Sequence, residues 1–232
     1  AKEDAEVVVV KMGPAGAYVW TATHQTQVPA YRTSRVWKIG SGDCFVAYFA
    51  NAWMAQGRAP AEAAQIASLA TAYYCQTQDF GTSAQLDALE FAPVVLSKSY
   101  LTGRKPKVYL AGPFFHLREV WMVEQARNSL LAMGLEVFSP YHDVGLGIAN
   151  DVVAKDLEAL DRSDIVFALV DGLDTGTVFE IGYARARGIP VVVYSERHQG
   201  GEDLKMMEGT GCILCNDYTT SVYTALWEAV QR

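Results

Sequence analysis

Short apolar runs alternate with helical patterns along the second half of the chain, from Lys105 onward. The strands are expected at Val108–Ala111, Glu136–Ser139, Asp164–Val170, Ile189–Tyr194 and Cys212–Cys215, and the helices at Leu117–Met133, Asp151–Arg162, Gly176–Arg187 and Ser221–Gln231. This alternation predicts an α/β fold built on a doubly wound parallel sheet. Ligands of such sheets bind beyond the carboxyl ends of the strands.

The first half of the chain has a different pattern. Val7–Val10 is a continuous β-branched run, which predicts a strand buried on both faces. A turn follows, and the next elements are expected to be strands at Ala17–Thr21 and Gln25–Ala30 and helices at Cys44–Gln56 and Ala61–Thr77. The stretch from Ser83 to Gly103 is expected to be a short tail and linker.

Composition fits a folded protein with a real core. The chain has 232 residues, of which 50% are hydrophobic and 19% charged, enough for one large domain or two smaller ones. No apolar run reaches the ~20 residues of a membrane helix, and no apolar region of a signal peptide follows the charged start. We therefore expect a soluble, cytoplasmic protein.

The net charge of −7 is unevenly distributed. Residues 1–104 carry 8 Lys+Arg and 8 Asp+Glu, whereas residues 105–232 carry 11 and 18. An acidic second half without a basic stripe argues against nucleic-acid polymers as partners, because phosphate neutralisation dominates their binding. The asymmetry also indicates that two different modules have been joined.

The four cysteines point to no metal or redox site. Cys44 and Cys75 fall in apolar helical patterns and are expected in the core. Cys212 and Cys215 form a C-x-x-C, but within a strand their side chains would point to opposite faces. No second Cys/His pair lies at zinc spacing. We expect neither a cofactor nor a metal.

Gly40, Ser41 and Gly42 precede Asp43 at the start of a predicted helix. Small residues at a helix N-terminus leave backbone N–H groups to bind an anion, and an adjacent Asp can take a proton from an attacking hydroxyl. A glycine-rich cap with Asp43 in the first helical turn explains the same residues without a function.

The order of elements in this half resembles the C-terminal third of the ribokinase-like (PfkB) sugar and nucleoside kinases, over residues 5–95. The resemblance rests on K-x-G-x-x-G after the first strand and on G-S-G-D before an Ala-rich helix pair. It implies an anion hole at Gly40, Ser41 and Gly42, with Asp43 as catalytic base. The N-terminal two thirds of that family, which carry the sugar site, have no counterpart in this sequence. We therefore expect a vestigial segment without kinase activity, either a remnant or the tail of a longer protein.

Acidic and aromatic residues collect at the carboxyl ends of the strands predicted in the second half. They lie in three loops, Gly112–Phe115, Pro140–Asp143 and Asp171–Thr177. Glu180 follows in the first turn of the next helix, inside an apolar segment that predicts burial. A buried acid normally has a partner or a task, although an acid at a helix N-terminus is also favoured by the helix dipole.

Two motifs in this half resemble the nucleoside 2-deoxyribosyltransferase family, over residues 106–230. They are Y-L-A-G-P-F-F from Tyr109 and D-G-x-D-x-G-T-x-x-E-I-G-Y-A from Asp171. The resemblance implies a flavodoxin-like fold, in which Glu180 is the nucleophile that attacks C1′ and Tyr109 orients it. Asp174 and Asp156 contact sugar and base, and one of them protonates the departing base. Substrate-binding positions are expected at Gly112, Phe114, Phe115, Asp171, Gly176 and Thr177.

The resemblance implies transfer of deoxyribose between nucleobases through a covalent intermediate, as in nucleotide metabolism and base salvage. Alternatives are an N-glycosidase acting on nucleosides or 5′-monophosphates, a non-catalytic nucleotide-binding module, and a working kinase completed upstream. The partners are nucleosides, nucleotides and free bases. A homo-oligomer with shared sites is implied. We expect residues 1–98 to form the kinase-like fragment, 99–105 a linker and 106–232 the transferase-like domain.

Overall fold

The computed structural model describes residues 4–145, 149–197 and 203–232, and of residues 149 and 150 only the backbone. Contacts divide the chain into two compact units, Ala1–Leu96 and Ser97–Arg232. Residues 1–3 of the predicted kinase-like fragment lie outside the described residues, as do residues 146–148 and 198–202 of the predicted transferase-like domain.

The first unit contains a three-stranded antiparallel sheet. Strand β1 (Val7–Lys11) pairs with β2 (Ala17–Thr21), which pairs with β3 (Gln25–Val28). The turn before β2 requires Gly16, because its φ is +93° and a Cβ there would overlap the Val28 carbonyl oxygen. Helix α1 (Ser41–Ala50), which continues into a π-helical turn, and helix α2 (Pro60–Thr77) pack against the sheet.

The prediction that the first strand is buried on both faces is wrong. Val7 and Val9 pack against the apolar cluster that contains Val19 and Phe45, whereas Val8 and Val10 are exposed. The described part of this unit covers β1 from one side. The β-branched run therefore reports the strand propensity of valine and not burial on two faces.

The segment from Ser83 to Gly103, predicted to be a tail and linker, contains two short helices. Helix α3 (Ser83–Asp87) starts at a capping box formed by Thr82 and Gln85. Helix α4 (Lys98–Leu101) starts at Ser97, whose backbone N–H donates to the Val230 carbonyl oxygen at 2.8 Å. The start of this predicted linker is thus helical and bonded to the C-terminal end of the second unit.

The second unit alternates strands and helices as its apolar pattern predicts. Its elements are β4 (Lys107–Ala111), α5 (Leu117–Ala132), β5 (Glu136–Phe138), α6 (Ala149–Asp161), β6 (Ile165–Leu169), α7 (Thr175–Ala186), β7 (Val191–Tyr194), α8 (Lys205–Gly209), β8 (Ile213–Cys215) and α9 (Tyr218–Ala229). The strand order is β5-β4-β6-β7-β8 and every pair is parallel. This arrangement confirms the doubly wound parallel sheet.

The order of strands positions a crevice between β4 and β6. The chain leaves β4 for β5 on one side and then returns past β4 to β6 on the other. Helices α5 and α9 contact each other, as do α6 and α7, as expected for two layers on opposite faces of the sheet. The direction of winding changes at β4 and β6, and ligands of doubly wound sheets bind at such a switch point.

The core of this unit is the sheet itself. All five residues of β6 are buried, as are those of β7, as expected for strands covered by helices on both faces. Nowhere in the part of the chain that the structure describes does a helix combine the length and the apolar character needed to cross a membrane.

Candidate active site

Tyr109 and Glu180 meet where β4 faces α7. Tyr109 lies in the middle of β4 and is fully buried, and its hydroxyl donates to Glu180 Oε1 at 2.6 Å. Glu180 is half-buried and lies in the second turn of α7, one turn later than predicted. The free backbone N–H groups of a helix start are confined to its first turn. Helix capping therefore does not explain this acid.

The apolar segment around Glu180 is also less buried than its composition predicts. Ile181 and Ala184 point into the core, but Val178 and Phe179 are exposed. A helix packed on one side of a sheet buries one face only. The carboxyl of Glu180 lies on the face turned toward β4.

The surroundings of Glu180 favour the protonated form of its carboxyl more than water does. Burial raises the pKa of Glu180 to about 7, the hydrogen bond from Tyr109 lowers it, and the negative charges of Asp156 and Asp174 raise it. Burial and the charge of Glu180 raise the pKa of Tyr109, so its hydroxyl stays a donor. Near neutral pH the carboxyl is poised between its two protonation states.

Two further acids belong to the same electrostatic cluster. Asp156 lies in the middle of α6, as predicted, and burial raises its pKa. Its Oδ1 atom is buried and accepts no hydrogen bond from the described residues. Asp174 is the N-cap of α7, and its Oδ2 accepts from the backbone N–H of Thr177 at 2.8 Å and from its hydroxyl at 3.1 Å. The capping bonds fix Asp174, whereas Asp156 Oδ1 has no such bond among the described residues.

Asp171 forms its hydrogen bonds with the loop that follows β7. Its Oδ1 accepts from the Ser195 hydroxyl at 2.8 Å and from the backbone N–H groups of Glu196 and Arg197 at 2.9 and 3.1 Å. Its Oδ2 lies 3.9 Å from a guanidinium nitrogen of Arg118. These bonds hold the loop after β7 against the end of β6. Arg118 and Arg197 both line a pocket of about 190 Å³ beside this loop.

The remaining predicted substrate positions divide into backbone and aromatic ones. Gly112 brings the β4–α5 loop close to β6, since a Cβ there would lie 3.1 Å from Cβ of Leu169. Gly176 similarly sits close to Asp174, and Thr177 is buried as its capping partner. Phe114 stacks on the exposed Phe115, with ring centroids 5.4 Å apart.

Sequence reasoning did not single out Tyr141 or Phe138. The ring of Tyr141, after β5, lies 5.4 Å from that of Phe114. Phe138, the last residue of β5, stacks on Tyr109 at 5.6 Å. Both residues could have been predicted from the strand order, because β5 is the neighbour of β4 in the sheet. The strand order, however, is a property of the tertiary structure and does not follow from the local sequence pattern.

The four predicted kinase-like residues lie together at the start of α1. Gly40 is its N-cap, at a φ of +80°, and the Ser41 hydroxyl donates to the Lys38 carbonyl oxygen at 2.7 Å. The ammonium of Lys11 donates to the Gly42 carbonyl oxygen at 3.1 Å. Asp43 is exposed in the first turn. Among the described residues of the whole chain, no three His, Cys, Asp or Glu side chains gather in a metal-binding cluster.

Each half of the chain matches a known family model. Residues 108–210 match the family model for nucleoside 2-deoxyribosyltransferase, and residues 1–87 match that for the pfkB family of carbohydrate kinases. A comparison with curated proteins gave no match.

Solved structures similar to the chain align with about half of it. A 2-deoxyribosyltransferase from Bacillus psychrosaccharolyticus is 30% identical over 49% of this chain and 88% of its own, with a TM-score of 0.44. The 2-desoxiribosyltransferase from Leishmania mexicana is 21% identical over 53% and 97%, with a TM-score of 0.42. The CMP N-glycosidase BcmB of Clostridium botulinum is 21% identical over 51% and 95%, with a TM-score of 0.40. Residues 1–87 therefore resemble part of the pfkB carbohydrate kinases, and through residues 108–210 the chain belongs to the nucleoside 2-deoxyribosyltransferase family.

Proposed function

We propose that the second unit cleaves the N-glycosidic bond of deoxynucleosides and transfers the sugar to another nucleobase, with Glu180 as nucleophile. The observation that carries the proposal is the half-buried Glu180 carboxyl, held at 2.6 Å by the Tyr109 hydroxyl and with a pKa raised to about 7. An anchored carboxylate in a poorly solvated crevice is suited to capture a developing oxocarbenium ion.

In the first step, the Glu180 oxygen that Tyr109 does not bind attacks C1′ of the sugar. The C1′–N bond breaks, and its electron pair goes to the base nitrogen, which takes a proton from a carboxylic acid. Asp156 is the best candidate for this acid, because burial raises its pKa and its buried Oδ1 accepts no hydrogen bond from the described residues.

In the second step, a nitrogen of the acceptor base attacks C1′ and the bond to Glu180 breaks. The bonding pair returns to the Glu180 oxygen, and the acceptor gives its proton to the Asp156 carboxylate. Throughout both steps Tyr109 donates to the other Glu180 oxygen, Oε1, which is the carbonyl oxygen of the ester. Its hydrogen bond therefore strengthens as the carboxylate charge is restored, and this favours release of the sugar. Protons and electrons balance without a cofactor.

A second candidate function is hydrolysis of a nucleoside 5′-monophosphate, with water as the acceptor. The observation in its favour is the pair of exposed arginines, Arg118 and Arg197, that line the pocket at the carboxyl edge of the sheet. Guanidinium groups bind phosphate in a bidentate geometry. In this reaction the glycosyl–Glu180 ester would be opened by water, and the products would be a base and ribose or deoxyribose 5-phosphate.

One incubation separates the two reactions. The chain is mixed with deoxyadenosine and free cytosine, and the products are separated by chromatography. Transfer gives adenine and deoxycytidine, whereas hydrolysis gives adenine and free sugar, and a parallel reaction with a 5′-monophosphate tests the second candidate. The choice between them depends on the acceptor and not on the nucleophile.

Glu180→Gln tests the nucleophile. Glutamine keeps a hydrogen-bond acceptor for Tyr109 but cannot form the glycosyl ester, so we expect turnover to fall by at least about 1000-fold. Glu158→Gln is the matched control, because Glu158 is an exposed acid on α6 that pairs with Arg162. Wild-type turnover in the Glu180 variant, or an equal loss in the control, would contradict the assignment.

A further inference from the structure

A chain of three polar side chains outside the acidic cluster links β5 to α5. His142 Nε2 lies 3.0 Å from Glu124 Oε1, and His142 Nδ1 lies 3.1 Å from the Ser139 Oγ. The His142 side chain is 19% exposed and that of Glu124 41%. The proposed reaction uses none of these three residues.

The connectivity is that of a hydrolytic triad, but the burial excludes that role for it. Ser139 is only 1% exposed, so a substrate carbon cannot approach its hydroxyl at the distance that nucleophilic attack requires. The chain of hydrogen bonds is instead complete within the protein. The carboxylate of Glu124 accepts from Nε2–H, and the serine hydroxyl donates to Nδ1 of a neutral His142 or accepts from a protonated one.

The loop that carries His142 is fixed by its own backbone as well. The backbone N–H of Ser139 donates to Asp143 Oδ2 at 2.8 Å, and the Ser139 carbonyl oxygen accepts from the N–H groups of His142 and Asp143 at 3.0 and 2.9 Å. These bonds set the shape of the loop. The bond from His142 to Glu124 then sets its position against α5.

The bonds of His142 and of this loop fix the position of Tyr141, the residue next to His142. Its ring lies 4.9 Å from the imidazole of His142 in an edge-on contact and 5.4 Å from the ring of Phe114. Phe114 stacks on Phe115 in turn. The three aromatic rings therefore form a wall at the carboxyl ends of β4 and β5, the strand pair that also carries Tyr109 and Phe138.

We infer that His142 and Glu124 are positioning residues that hold the ring of Tyr141 beside Phe114, one of the substrate-binding positions that the family resemblance implies, so that Tyr141 extends the wall on which a nucleobase stacks. The inference rests on the proposed function for its substrate, a nucleobase. A wall of aromatic faces binds by stacking, which tolerates every base because each has a π-face.

Binding of free adenine and free cytosine, measured by calorimetry, tests the wall without any need for turnover. We expect Glu124→Leu and His142→Leu each to weaken binding of both bases by about tenfold, the scale of one base–aromatic contact. Tyr141→Ala should weaken it at least as much. Glu124→Gln, which keeps an acceptor for Nε2–H, should restore binding to within about twofold of the wild type.

Glu136→Leu is the matched control, because Glu136 is an exposed acid that pairs with Lys107 at the opposite end of the β4–β5 pair. It should leave base binding unchanged, and thermal melts of every variant report whether it is folded. In turnover assays, the Leu variants should raise KM for the acceptor base while kcat at saturating base changes less than about twofold.

Each result either supports or overturns the inference. Unchanged base affinity in Glu124→Leu and Tyr141→Ala would overturn it, as would a fall in kcat with KM unaltered. Failure of the wild type to bind either base would overturn it too. If the wild type binds bases but leaves nucleosides intact, the proposed function fails while the wall stands.

Discussion

Asp43 in the first unit and Glu180 in the second both lie near the start of a helix, and their surroundings differ. Asp43 lies in the first turn of α1, after three small residues, and is exposed. Glu180 lies in the second turn of α7, is half-buried, and receives a 2.6 Å hydrogen bond from a fully buried tyrosine. Burial and two neighbouring acids raise the pKa of Glu180 to about 7.

The comparison shows what raises the pKa of an acid near a helix start. A motif places the carboxyl on a helix, but the neighbouring elements decide its solvation and its partners. In the second unit, β4 supplies Tyr109 and α6 supplies Asp156. In the first unit, at the start of α1, the side chains of Lys11 and Ser41 donate to backbone carbonyl oxygens, those of Gly42 and Lys38. The following substitutions change one neighbour of Glu180 at a time.

Asp156→Asn should have the largest effect of these. If Asp156 protonates the departing base, turnover of deoxyadenosine should fall by about 100-fold. Loss of its negative charge also lowers the pKa of Glu180, because that charge now raises it. The acid limb of the pH–rate profile, which would report ionisation of Glu180 as the proposed nucleophile, should therefore move to lower pH.

A substrate with a better leaving group separates acid catalysis from sugar binding at Asp156. A deoxyriboside whose leaving group departs without protonation should be cleaved by Asp156→Asn nearly as fast as by the wild type. A loss of about 100-fold with both substrates would show that Asp156 contacts the sugar. Asp156 would then contribute by positioning the sugar and not by transferring a proton to the base.

Tyr109→Phe should have a smaller effect, in the opposite direction on the profile. The hydrogen bond from Tyr109 lowers the pKa of Glu180, so its removal raises that pKa and moves the acid limb to higher pH. Near neutral pH we expect about a tenfold loss of kcat/KM, partly recovered in alkaline buffer as Glu180 ionises. An acid limb that stays at the same pH would mean that Tyr109 has no influence on the charge of Glu180.

The apolar pattern was sufficient to predict the five parallel strands and the four long helices α5, α6, α7 and α9, because most of them bury a continuous run or a regular stripe. The position of the acidic loops could be predicted as well, because ligands of doubly wound sheets bind beyond the carboxyl ends of the strands. The valines of β1 misled, since an exposed face and a buried face have the same sequence when both are β-branched. The short helix α8 and the two helices in the predicted linker lack a long apolar stripe.

Side-chain partnerships were harder to predict than positions. Nothing in the local pattern indicates that Asp171 bonds the loop after β7, or that His142 bonds Glu124, 18 positions earlier. Both depend on which strands become neighbours in the sheet. The motif located Glu180 within one helical turn, but its bond to Tyr109 spans 71 positions and is a property of the fold.

The smallest expected effect is on stability, and it follows from the same burial. The pKa of Glu180 is raised in the folded state, so the stability linked to its proton is complete below the ordinary pKa of a glutamate and is lost as pH rises through about 7. Glu180→Gln carries no charge at any pH. In thermal melts it should stabilise the second unit by about 2 kcal/mol near pH 8.5 and by much less near pH 5.

Asp43→Asn is the matched comparison in the first unit. Its carboxyl is exposed, so the substitution relieves no desolvation and should not raise the melting temperature at either pH. Equal gains for Glu180→Gln at both pH values would show that packing, and not the buried charge, sets this acid apart from Asp43.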